Sequence, residues 1–249
     1  MTEETNNMEE AGSNPANTGD SAGSGKSPLL YELSKKKGSL LAQIMSITLH
    51  PLLTGVYSVA LLFLYTDFRI IYADQFIQFV APVFLLSCAV PAGSVYFLKK
   101  TGFIKNNDPT GRDDRLAPFV AAFCSYSLLL YYFVSAGLYA WFIGILASPL
   151  ALIVIAAVAT KWKLSAHMMG IGGLIGCTLS VCYHVKGLNP FILFIVLFIL
   201  AGCLGVSRLM FGRHTPAQVY TSFLAGLAVS YLCVLTGAYW GVIMFLKNL

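Results

Sequence analysis

Seven apolar runs follow one another along the chain, parted by short polar loops. Their limits are 44–66, 76–98, 117–136, 139–160, 167–185, 190–208 and 217–246. Each is close to the ~20 residues that an α-helix needs to cross the hydrocarbon of a bilayer. The pattern predicts an all-α fold, a polytopic transmembrane helical bundle of six to seven spans. The first run carries His50-Pro51, so its start is expected as a separate interfacial piece. Only Ser135-Ala136-Gly137 parts the third run from the fourth, which predicts a tight turn between antiparallel helices. Pro82, Pro91 and Pro149 are expected to kink their helices. Gly172 and Gly176, and Gly237 and Gly241, have the small-x-x-x-small spacing that lets helices approach closely.

The chain divides unevenly. Residues 1 to about 30 are Glu, Asn, Ser, Gly and Thr with few large apolar side chains. Such a segment cannot bury enough surface to offset its ordering entropy. Residues 1–38 are therefore expected to be a disordered polar tail, and residues 39–249 a transmembrane domain. The tail has no basic start followed by an apolar core, so it does not read as a secretory signal peptide. Lys35-Lys36-Lys37 at its end suits an anchor facing anionic lipid on the cytoplasmic side.

Composition agrees with the pattern. The 249 residues are 57% hydrophobic and 11% charged, with a mean hydropathy of +0.73. A typical soluble domain carries about 25% charged residues. The net charge of +5 resides in short loops between apolar runs, so it points to topology and a site rather than to nucleic acid. The cysteines (Cys88, Cys124, Cys177, Cys182, Cys203 and Cys233) all lie in apolar runs with no Cys-x-x-Cys pair. They make neither a disulfide framework nor a metal site.

Parity then assigns the loops. With seven spans, the N-terminal segment and the loops after spans two, four and six share one side. Thirteen Lys and Arg residues fall on that side, against Arg69, Lys186 and Lys247 on the other. By the positive-inside tendency the thirteen mark the cytoplasm.

Three polar stretches fall on that same side: Lys105 to Pro118, Lys161 to His167, and Ser207 to Gln218. Ionisable residues at the ends of buried segments are candidates for function. Arg112, Arg115, Ser165, His167, Arg208 and His214 together have a chemical sense. Arginine forks and hydroxyls suit phosphate oxygens, and two histidines can divide nucleophile and proton-donor roles. The plainer reading keeps Arg208 and Arg213 as interfacial anchors and Asp113-Asp114 as a self-neutralising loop. His50 has no charged neighbour and His184 has only Lys186 nearby, so both read as structural. No acidic residue lies well inside a span and no inverted repeat is evident, which argues against a channel or transporter.

Ser207-Arg208, five residues, His214, three residues, Gln218 resembles the third motif of the type 2 phosphatidic acid phosphatase superfamily, with Gln218 in the place of an Asp. Leu164-Ser165-Ala166-His167 is similar to that family's Pro-Ser-Gly-His. Lys105, six residues, Arg112 keeps the spacing of its first motif, with Arg115 as the alternative arginine and Pro118 three residues beyond. His50-Pro51-Leu52-Leu53 is similar to divergent bacterial members. The resemblance implies a membrane-bound phosphatase that removes phosphate from a lipid phosphate or isoprenyl diphosphate. His214 would form a phosphohistidine, with Gln218 beside it. Arg208, with Arg112 or Arg115 and Lys105, would hold the phosphoryl oxygens, and Ser165 would donate to one. His167 would protonate the leaving alkoxide. It implies no metal or other cofactor, membrane lipids as partners with a phosphorylated lipid as substrate, and a place in the bacterial inner membrane. The alternative is a catalytically degenerate relative that binds lipid phosphate headgroups or serves as a membrane scaffold. Neither the lipid nor the oligomeric state is written in the sequence.

Overall fold

The computed structural model describes residues 40–102, 112–159, 162–186, 189–212 and 214–247. The polar tail, Lys105 and Arg213 lie outside the described residues. Among those described, the protein is helical with no strand. Seven helices are long and apolar enough to cross a membrane: Leu40–Tyr65, Ala73–Lys100, Ala117–Ser135, Ala140–Val158, Ala166–Lys186, Phe191–Met210 and Pro216–Lys247. They are the seven apolar runs to within a few residues. This is an integral membrane protein with an all-α bundle.

The fifth span is the most buried of the seven, and glycine explains how the others reach it. A methyl group added at Gly172 or Gly176 would collide with the carbonyls of Phe223 and Leu227 in the seventh span. One added at Gly226 would strike the Met169 carbonyl in return. Gly144 and Gly237 seat the fourth span against the seventh in the same way. Backbones this close gain dispersion contacts that larger side chains would prevent. Gly241 meets only the side chain of Ala140, so the predicted pair is unequal.

Proline shapes the first two spans. In the second, the Val90 N–H reaches back five residues to the Leu85 carbonyl, a π-turn set between Pro82 and Pro91. That turn leaves the Leu86 carbonyl without its helical donor, and the Ser125 hydroxyl of the third span supplies one. In the first span, residues 40–48 form one helical piece and Thr54–Tyr65 another. Between them His50 is extended (φ −67°, ψ 137°), as a residue before proline prefers. Its Nδ1 then accepts the Leu52 N–H at 3.3 Å and caps the short 3₁₀ turn Pro51–Leu53. The break expected at His50-Pro51 is present, and it turns the imidazole toward the fifth span.

At the other end of the bundle, Phe63, Phe68, Phe79, Phe133, Trp141 and Phe142 form an aromatic core. Lys186 pairs with Asp67 there at 3.6 Å. His184 meets the Tyr231 hydroxyl at 2.5 Å, a partner that suits its structural reading.

Candidate functional site

The site is assembled from the first span and the two polar turns before the fifth and seventh spans. Arg208 stands in the last turn of the sixth span and is buried at 6% exposure. A cation so placed needs partners, because an unpaired buried charge is costly. Its Nη1 donates to the Ser46 hydroxyl at 2.7 Å. The neighbouring Ser207 hydroxyl donates to the Ala42 carbonyl at 2.8 Å. One turn of the first span is thus sewn to the end of the sixth. Phe211 lies beneath the guanidinium, its ring centre 5.7 Å from Cζ, which adds a cation–π contact.

Ser46 also meets His167 Nε2 at 3.3 Å. Its oxygen accepts from Arg208, so its own proton is available to the neutral imidazole. If His167 is protonated, the same hydroxyl accepts from it instead. One serine can therefore serve both charge states of His167. His50 stands edge-on to His167, ring centroids 5.2 Å apart at 77°. His50, read from the sequence as structural, belongs to the cluster.

The Ser165–His167 turn is held from the seventh span. The Ser165 N–H donates to Ser222 Oγ at 2.7 Å, and the Ser222 hydroxyl donates to the Gln218 carbonyl at 2.5 Å. The Ser165 hydroxyl itself is fully buried with no partner among the described residues. Such a group keeps its hydrogen-bonding capacity unspent, at a cost of about 1–3 kcal/mol.

His214 lies just ahead of the seventh span, within electrostatic reach of Arg208, Lys163 and His167. Burial, then Arg208, then Lys163, holds its pKa below the ordinary histidine value. Gln218 and the Lys163 backbone lie close enough to oppose part of that shift. Neither closes a hydrogen bond on Nδ1, which is buried without a partner among the described residues. Gln218 has another task. Its Oε1 accepts the Thr215 N–H at 3.1 Å, while the Gln218 N–H donates to Thr215 Oγ1 at 3.3 Å. Thr215-Pro216-Ala217-Gln218 is a reciprocal capping box with proline at the first helical position.

The structure therefore gathers Arg208, His167 and His214 at one end of the bundle, with Ser165 in the turn that carries His167. It adds Ser46 and His50, which sequence reasoning missed. Arg112 and Arg115 lie on the first turns of the helix Arg112–Ser135; their side chains, like all of Lys105, are outside the described residues. Pro118 and Phe119 of that helix line a cavity with His50, which brings the start of the third span to the same end. No family model, curated protein or solved structure matches this chain.

Proposed function

We propose that this site binds the phosphate of a membrane lipid and hydrolyses it, as the resemblance to type 2 phosphatidic acid phosphatases implies. One observation carries the reading: Arg208 is buried beside two histidines and linked to one of them through Ser46. A buried guanidinium that presents planar donors suits a phosphoryl group better than it suits a bilayer. The fifth and seventh spans both begin at this end, and helix N-termini favour anions.

The chemistry then follows. Neutral His214 attacks phosphorus through a ring nitrogen while the phosphorus–oxygen bond to the lipid breaks. Arg208 holds the phosphoryl oxygens as charge develops on them, and Ser165 donates to one. His167, protonated under the negative charge of the bound phosphate, gives its proton to the leaving oxygen. It then takes one from water, which attacks the phosphohistidine and releases inorganic phosphate. Ser46 accepts from His167 in the first half and donates to it in the second. The positive-inside count favours the cytoplasmic side for this end, and the resemblance implies a bacterial inner membrane.

The test is phosphate release by the purified protein in detergent, from phosphatidate and from an isoprenyl diphosphate. His214→Ala is expected to abolish it. Equal release by wild type and that variant sinks the reading.

A second reading, a degenerate relative that binds headgroups without turnover, is favoured by one observation. Gln218 stands where the related enzymes have an acid, and its carbonyl oxygen serves the helix cap. That reading expects phosphate or vanadate binding that Arg208→Ala removes, with no release over hours.

A further inference from the structure

An elongated cavity of about 280 Å³ runs into the bundle from the site. His50 and Ala166 line its outer end, and Ile145 and Cys177 its inner end. Ala166 and Cys177 are eleven residues apart on one helix, as are Ile145 and Ala156 on another, so at 1.5 Å per residue the shaft is about 16 Å long. That is roughly half the thickness of the hydrocarbon layer.

The wall is apolar even where its residues are not. Thr54 Oγ1 donates to the Pro51 carbonyl at 2.6 Å, Ser58 Oγ to the Thr54 carbonyl at 2.9 Å, and Ser148 Oγ to the Ile145 carbonyl at 2.9 Å. These hydroxyls are spent on their own helices and turn methyl and methylene groups inward. Ser230 is the exception, its hydroxyl without a partner among the described residues. His50 belongs to both compartments: it lines the shaft and packs on His167.

We infer that the shaft holds one hydrocarbon chain of the phosphorylated lipid while its phosphate sits at Arg208. The inference rests on the phosphate reading of the site and adds the shape of the substrate. The chain, saturated or isoprenyl, threads between the first, third, fourth and fifth spans; any second chain remains in the bilayer. The shaft selects by chain length, since a short chain leaves it partly empty and wins less apolar burial.

The experiment uses the full chain in nanodiscs and two probes: a phosphatidate and an isoprenyl phosphate, each with a diazirine at the end of one chain. After photolysis, label from at least one probe is expected at the inner end of the shaft, near Ile145 and Cys177. Which probe labels tells acyl from isoprenyl. Label confined to outward residues such as Leu128, Val154 and Ile199 overturns the inference, whether or not phosphate is released. Label in the shaft without any phosphate release keeps the inference and removes the hydrolytic reading. Ala122→Leu, which narrows the shaft from the third span one turn below Pro118, is expected to cut shaft labelling at least tenfold. It should leave release from a short, soluble phosphate ester unchanged. Undiminished shaft labelling in a folded Ala122→Leu protein also overturns it.

Discussion

Arg208 of the sixth span donates to the hydroxyl of Ser46 in the first at 2.7 Å, across 162 positions of sequence. The same hydroxyl lies 3.3 Å from His167 Nε2, so a guanidinium and an imidazole share one small group. Hydrogen bonds to charged groups contribute about 1.5–3 kcal/mol. Ser46→Ala is therefore expected to lower kcat/KM for phosphate release about 10- to 100-fold. Ser46→Thr keeps the hydroxyl and should restore most of it. A Ser46→Ala protein with unchanged kcat/KM would show that the link is incidental.

His50 has a structural duty and a site duty that can be separated. Its Nδ1 caps the turn after Pro51, and caps are worth roughly 1 kcal/mol. Its ring meets His167. His50→Asn offers a capping side chain without the ring, whereas His50→Ala offers neither. Thermal unfolding in detergent should find His50→Ala less stable than His50→Asn by about 1 kcal/mol. Both variants should lose activity alike if the ring positions His167. Full activity in His50→Asn would leave the ring only its cap.

How much of this was legible in the sequence follows from what each residue needs. The spans were legible because lipid leaves the backbone one solution, a long apolar helix. Arg208, His214, Ser165 and His167 were legible because polar side chains stand out at the ends of apolar runs. Ser46 and His50 were not. Ser46 is a small hydroxyl on an ordinary helical turn. His50 has no charged neighbour in the chain, and its partner His167 lies 117 positions away. Tertiary packing alone brings either of them to the candidate site. Gln218 shows the opposite case. Thr215-Pro216-Ala217-Gln218 carries a local capping signature, but the longer motif draws the eye to His214 instead.

Gln218 leads to a gain-of-function test. A glutamate has the same reach and can keep the capping box with Thr215. It would also set a negative charge beside His214, whose Nδ1 now has no partner among the described residues. In a triad of similar logic, exchanging the acid for its amide costs about 10⁴-fold. Gln218→Glu is therefore expected to raise kcat at neutral pH by tenfold or more, measured as phosphate release under saturating lipid. Gln218→Ala should lower stability by about 1 kcal/mol through loss of the cap. A Gln218→Glu protein that folds but gains nothing would mean that the orientation of His214 does not limit the rate.

Substitutions around His214 can separate its share of the pH dependence from that of the rest of the site. Burial and the cations Arg208 and Lys163 hold its pKa below the ordinary 6.5. The neutral ring is then the form present at neutral pH, as a nucleophile requires. Below pH 6.5 the unfolded chain takes up a proton that the folded protein still refuses. Stability is accordingly expected to fall as pH drops from about 6.5 toward the folded pKa, and to level off beneath it. The acid limb of kcat/KM should sit below 6.5 for the same reason. Lys163→Met removes one of the two cations, so that limb should move up toward 6.5, and Gln218→Glu should move it further still. An acid limb that ignores both substitutions would assign the titration to another group and leave His214 without its role as nucleophile.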